Sequence, residues 1–324
     1  MKRTFSVIAL VLAFSLTACS KEEVTKNYYN IKQKIERKDG RAIIVPPPVA
    51  PQPPEFPKDA EIQAKIAENL AYINSKIVEK DGKTTYYFVE QKDKDGKNTY
   101  LLTDDKSKAD YYRVILGTTA DGYCAVQDFH ANGNKQIEPL IERDIQFCNR
   151  FDGSDKPQDS LVKVFYDKEE KIESVTYFDI KNKQRFVFAY DENGNKLGLE
   201  IVNLSNIPKL TEFHFHSKSK KDGKYKSFIR IFEFNEENLI KFTGFFYHNS
   251  NLKNIDNIMQ YDFSANEKKE IVWLPQNTGN VAVYLDNDPE YEKKTQEFFE
   301  KRKKWIKEIK EEFNFRLSQN SNNK

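Results

Sequence analysis

The sequence predicts a mainly β fold of the α+β class: an antiparallel meander of hairpins with an N-terminal and a long C-terminal amphipathic helix packed on it. Three observations carry that expectation. Phe and Tyr number 24 and 17 against two Met and two Trp, and Phe and Tyr suit a pleated, half-buried surface. From residue 78 to about 285, short aromatic and β-branched runs alternate with Asp-Gly and Asn-Gly pairs, the pattern of hairpins. Both flanks of that region carry apolar residues at helical spacing.

In chain order, the first signal is not part of the body. Lys2 and Arg3 precede an apolar run from Phe5 to Leu16, and Leu16-Thr17-Ala18-Cys19 closes it. A run of about a dozen residues cannot span a hydrocarbon core of roughly 30 Å, which needs about 20. This stretch resembles a bacterial lipoprotein signal peptide with its lipobox. The resemblance implies removal of residues 1–18, acyl chains on the thiol and amino terminus of Cys19, and a place in the bacterial cell envelope. Each buried methylene contributes about 0.8 kcal/mol, so two or more chains anchor stably without another membrane element. Ser20, where an Asp would retain such lipoproteins at the inner membrane, implies the outer membrane.

Residues 20–45 are charged and unpatterned. The run from Pro46 to Pro57 then holds seven of the twelve prolines, which favours an extended polyproline II spacer at about 3.1 Å per residue. Residues 19–57 therefore read as a lipidated tether with a proline-rich stalk, and residues 58–317 as a single β-rich domain with flanking helices.

That body opens with a helix. Asp59 is the expected cap, and Ile62, Ile66, Leu70, Ile73 and Ile77 form one apolar stripe. Its other face mixes Glu61, Lys65, Glu68 and Asn74, as a core-facing helix does and a membrane-lying one does not.

Tight turns are expected at Asp81-Gly82, Asp95-Gly96, Asp121-Gly122, Asn132-Gly133, Asn193-Gly194 and Asp222-Gly223, because these pairs tolerate a left-handed backbone. Phe165-Tyr-Asp-Lys-Glu-Glu-Lys171, Tyr177-Phe-Asp-Ile-Lys-Asn-Lys183 and Ala189-Tyr-Asp-Glu-Asn-Gly-Asn-Lys196 repeat an aromatic, an acid, a polar turn and a lysine about every twelve residues. The segment from about 123 to 200 resembles the hairpin units of bacterial MORN-like repeat proteins, which implies a meandering sheet whose units bury their apolar faces only by stacking on neighbours.

With Cys19 committed to lipid, Cys124 and Cys148 remain. In an oxidising compartment an even remainder predicts a disulfide. At the C-terminal end, Asp288-Pro289-Glu290 starts a helix running to about Leu317. Tyr291, Phe298, Trp305, Ile309 and Phe313 make its apolar face, and Lys301-Arg302-Lys303-Lys304, interleaved with glutamates, reads as a solvated face. The polar tail 318–324 is expected to be disordered.

Charge and motifs bound the function. Removing Lys2 and Arg3 from 52 basic residues leaves 50 against 50 acidic ones, so no nucleic-acid partner is expected. His214 and His216 sit two apart on an expected strand, a spacing some metal sites use, but no further ligand is identifiable, and they read as its solvent-facing side with Phe213 and Phe215 toward the core. Asp191-Glu-Asn193-Gly-Asn195 resembles a calcium loop, yet its glycine stands fourth instead of sixth and turn chemistry accounts for it. No phosphate loop, nucleophile elbow or zinc-protease motif occurs. No catalytic residue, cofactor or metal is predicted. The expectation is an envelope-anchored lipoprotein with a binding or structural role, its partners the membrane, through the lipid, and a protein or envelope glycan. The alternative is an envelope hydrolase acting on glycan or peptide, for which two converging carboxylates would be required.

Overall fold

The computed structural model describes residues 48–94, 98–143, 148–150, 158–204, 207–218, 225–235, 238–247, 252, 255–262, 269–273, 282–283 and 289–321. Cys19, most of the tether, the Asp95-Gly96 and Asp222-Gly223 turns and His248 lie outside the described residues. The protein is mainly β, with antiparallel sheets in meander order. By internal contacts the described residues divide into two compact units, one of Pro54–Leu199 with the end of the C-terminal helix from Lys310 on, the other built on Glu200–Ile309.

The first unit contains helix α1 (Asp59–Lys76) and strands β1 (Ile77–Lys80), β2 (Thr85–Lys92), β3 (Asn98–Thr103), β4 (Tyr111–Thr119), β5 (Cys124–His130), β6 (Leu140–Glu142) and β7 (Gln158–Asp159). These pair in the order β3-β2-β4-β5-β6-β7, with β1 on the far end of β4. At the α1 entry, Glu61 accepts a hydrogen bond from the Lys58 amide at 3.0 Å, so Glu61 reaching back, and not Asp59, caps the helix. The buried stripe is Ile62, Ile66, Asn69 and Ile73; Leu70, expected inside, is exposed. Asn69 replaces it for a reason of hydrogen bonding. Its amide donates to the Pro139 carbonyl at 2.8 Å and its oxygen accepts from the Leu161 amide at 2.8 Å, so one buried side chain satisfies two loop backbone groups. Ile73 closes on Ala125 and Ile141.

Strands β8 (Val162–Tyr166), β9 (Ile172–Asp179), β10 (Gln184–Tyr190) and β11 (Lys196–Asn203) follow as neighbours in chain order. Their twelve-residue period has a local cause. Asp167 accepts from the Glu169 and Lys171 amides, Asp179 from the Asn182 amide, and Asp191 from the Asn193 and Asn195 amides, all at 2.8–3.0 Å. Each aspartate thus closes its own turn. Among these three copies only the third has glycine at the left-handed position, Gly194 at φ +78°; Glu170 occupies the equivalent position at φ +61°, and in the second copy the left-handed residue is Lys183, one position further on, at φ +52°. The repeat keeps its geometry without its glycine by accepting a strained residue. Before these strands, Phe56 at the end of the proline run is buried, edge-on to Phe188 at 5.0 Å and Tyr190 at 5.4 Å.

The second unit orders β12 (Lys209–Lys218), β13 (Tyr225–Asn235), β14 (Asn238–Tyr247), β15 (Ile255–Asp262), β16 (Lys269–Trp273) and β17 (Ala282–Val283) consecutively. The long C-terminal helix α2 spans Pro289–Ser321. Within this unit its Phe298 and Phe299 meet Phe232 and Phe242 at centroid distances of 5.5–6.5 Å. Its buried residues are Phe299, Arg302, Ile306, Ile309 and Phe313, spaced three, four, three and four. The expected stripe through Phe298 and Trp305 is rotated by one residue, and Arg302, expected in solvent, lies inside.

Candidate functional site

Three arrangements hold side chains able to do chemistry or bind. The first is a ladder of rings on the first unit. Residues directly opposite across antiparallel strands share a face, and the register places Tyr87 on β2 opposite Tyr112 on β4, and Tyr112 opposite Phe129 on β5. Tyr112 and Phe129 stack at 4.9 Å with planes 8° apart, and Tyr87 lies 6.0 Å from Tyr112. All three rings are partly exposed, and Lys106 stands 5.9 Å from the Tyr87 ring. Burial, and next the Tyr87 hydroxyl, raise the Tyr112 phenol above its usual pKa. Leu101 on the edge strand β3 continues the face through its partner Val89 and is 52% exposed. The result is an apolar ridge of five residues on a rigid sheet, a surface suited to a partner.

The second arrangement is a buried ion-pair centre in the same unit. Arg113 on β4 faces Asp128 on β5 directly. Its Nε and Nη2 donate to the two Asp128 oxygens at 2.6 and 2.8 Å, Nη2 also pairs with Glu142 at 3.1 Å, and Nη1 donates to the Arg150 carbonyl at 2.9 Å. Gln158 donates to Glu142 at 2.9 Å. Every guanidinium nitrogen is engaged, in the bidentate geometry that makes such pairs strong. Burial opposes the Arg113 charge, but Asp128 and Glu142 outweigh it and hold the guanidinium above its ordinary range. Burial also holds the Glu142 carboxyl above its ordinary value, against the pull of Arg113 and with the help of Asp128. The predicted disulfide closes beside this centre: Cys124, opposite Glu142 on β6, is bonded to Cys148, with Cα atoms 5.7 Å apart. It ties down the segment that presents the Arg150 carbonyl.

The third arrangement is in the second unit. Arg230 on β13 faces Glu212 on β12 directly. Its Nη1 is 3.8 Å from the carboxylate, beyond hydrogen-bond distance, while Arg302 from α2 reaches the other Glu212 oxygen at 2.7 Å. The Arg230 guanidinium lies 3.9 Å from the Phe228 ring centre and 5.4 Å from that of Phe298, and Arg302 lies 4.9 Å from Phe298. Burial, reinforced by Arg302 and opposed by Glu212, pushes Arg230 down to about 10. Cation–π contacts offset up to about 2 kcal/mol when desolvated, against several kcal/mol for each ion removed from water.

The residues singled out by sequence distribute as follows. His214 is buried and stacked 4.8 Å from Phe228 with planes 11° apart, so it does not face solvent. The reason is that Phe213 on the opposite face is buried as well. β12 shifts register between His214 and Ser217, and the His216 side chain lies outside the described residues. His130 makes a 3.0 Å contact from Nε2 to the Tyr166 carbonyl. Among the described residues no group of three or more His, Cys, Asp or Glu is placed to hold a metal. Asp191, read as turn chemistry, spends its oxygens on its own loop. Two carboxylates do converge, Asp128 and Glu142, but both are buried and bound to Arg113. Sequence reasoning missed both arginine centres. Their signal was a lone charge inside an apolar run, Tyr111-Tyr-Arg-Val-Ile115 and Phe228-Ile-Arg-Ile-Phe232. No protein-family model matches the chain, and no curated protein matches it.

Proposed function

We propose that the protein is a lipid-anchored binding protein of the bacterial cell envelope, held to the outer membrane through acylated Cys19 and presenting the Tyr87–Tyr112–Phe129 ridge to a partner. The anchor rests on the lipobox Leu16-Thr17-Ala18-Cys19 and its distance from Lys2 and Arg3. The body rests on the ridge, which is the observation that carries the reading: three rings and Leu101 aligned on one sheet face and open to solvent. Tyr112 and Phe129 each spend one ring face on the other, and Tyr87 lies beside Tyr112. That geometry favours the apolar side chains of a protein over a sugar ring, which needs an open aromatic face. The aspartate-closed hairpins support reading the segment from about 123 to 200 as MORN-like units.

Two experiments test the proposal. Radiolabelled palmitate should be incorporated by the wild type and lost in Cys19→Ala; equal labelling removes the anchor. A photo-crosslinking amino acid placed at Leu101 should give a discrete higher-mass adduct in intact cells, while the same group at the exposed turn residue Glu192 should not. Equal adducts, or none at either position, remove the ridge. Co-sedimentation with purified peptidoglycan that depends on Tyr112 would replace the protein partner with a glycan.

A further inference from the structure

Among the described residues of the second unit, one centre buries two guanidinium groups against a single carboxylate. Arg230 and Arg302 are 5% and 6% exposed and share one carboxylate, Glu212. Among the described residues Arg230 makes no hydrogen bond, only the 3.8 Å ion pair, and the Arg302 Nε has no hydrogen-bond partner. Native proteins seldom leave such groups without a partner, because a desolvated donor loses its bonds to water and gains none in return. The first unit shows the alternative with the same ingredients: around Arg113 every nitrogen is bonded.

The excess also cannot be discharged. A surplus carboxylate can take up a proton at accessible pH, but a guanidinium keeps its charge throughout the physiological range. The aromatic residues around the centre, Phe228, Phe232 and Phe298, contact the two guanidinium groups. They supply ring faces and no acceptor for the N–H groups. Across the sheet, Gly244 is directly opposite Arg230, and a Cβ there would come within 2.8 Å of the Phe246 ring. This position closes the site with aromatic edges in place of a polar side chain.

We propose that the Arg230–Arg302–Glu212 centre binds one small monoanion, a carboxylate whose two oxygens take the N–H groups that Glu212 leaves unbonded. One negative charge neutralises the centre, since two guanidinium groups and one carboxylate leave a single positive excess. A carboxylate is the class that matches the planar fork of a guanidinium. This inference stands apart from the ridge, which is in the other unit.

The test uses the full chain in halide-free buffer with 13C-acetate as the probe and acetamide as its neutral counterpart, read by saturation-transfer NMR. Acetate should bind saturably and acetamide should not. Arg230→Met should weaken acetate at least tenfold, and Glu212→Gln, which releases Arg302, should tighten it at least fivefold. Absence of saturable acetate binding by the wild type overturns the proposal, as does an equal response to acetamide. So does undiminished binding by a folded Arg230→Met protein. If Arg230→Met does not fold, the Glu212→Gln protein decides: unchanged or weaker acetate binding there overturns the proposal.

Discussion

The two buried arginine centres are built alike and balanced oppositely. Each places an arginine on an inner strand directly opposite a carboxylate on the next, Arg113 against Asp128 and Arg230 against Glu212. The first adds a second carboxylate, Glu142; the second adds a second arginine, Arg302. The sign of the surplus decides what each can be. Around Arg113 every guanidinium nitrogen is bonded, and burial holds the Glu142 carboxyl above its ordinary value, so the centre closes on itself and acts as a structural lock. Around Arg230 the described residues supply one carboxylate for two guanidinium groups, and the proposed anion would complete that centre.

The largest effect is expected at Asp128. Replacing it by Ala leaves Arg113 buried with half its bonds gone, and the expected loss is about 3–5 kcal/mol, measured as a fall in the urea midpoint. A fall within experimental error would mean that the first centre is not a lock. Next in size is the disulfide beside it. The 24-residue separation of Cys124 and Cys148 predicts a loss of about 3 kcal/mol for the double Ser variant under the chain-entropy account. The reduced wild type should melt together with that variant.

Arg230→Met should do the opposite of Asp128→Ala. It removes an incompletely paired charge and leaves Arg302 and Glu212 balanced, so stability should be unchanged or higher by about 1 kcal/mol. A large loss in the same urea assay would make the second centre a lock like the first.

Glu142→Gln sharpens the contrast through pH. The Glu142 pKa is raised in the folded protein above its ordinary value of 4.5, so the folded state binds that proton more readily than the unfolded chain. Its contribution to stability is complete below the ordinary value and is lost as pH rises through the folded-state value. Relative to wild type, Glu142→Gln should therefore fare best near pH 7 and lose ground as pH falls toward 4. Thermal melts across that range check the sign; a parallel pair of curves refutes it.

The smallest effect belongs to the turns. Lys183 holds φ +52° in its turn, a left-handed backbone that glycine adopts without strain, and Lys183→Gly should raise stability by about 1 kcal/mol, read from the melting temperature. Gly194→Lys should lower it by a similar amount.

Local signals read well from residues alone. The Asp81-Gly82, Asp121-Gly122, Asn132-Gly133 and Asn193-Gly194 turns all place glycine at positive φ. The disulfide followed from cysteine parity, and the long C-terminal helix from Pro289 and its periodicity. These features depend on interactions within a few residues or, for the disulfide, on the small number of cysteines in the chain.

What the residues alone did not decide is which face of each element is covered. Asn69 displaces Leu70 from the interior because two distant backbone groups, on Pro139 and Leu161, need a partner there. Arg302 enters the interior because Glu212 waits on β12. Period-two reasoning failed at His214 because both faces of that strand are buried, so alternation no longer separates inside from outside. The arginine centres and the aromatic ridge exist only through strand register, which sets Arg113 opposite Asp128, Arg230 opposite Glu212, and Tyr112 between Tyr87 and Phe129. Composition and spacing determine that strands will form; register is settled by packing and turn closure across the whole sheet, and a slip of one residue would send every one of those side chains to the other face.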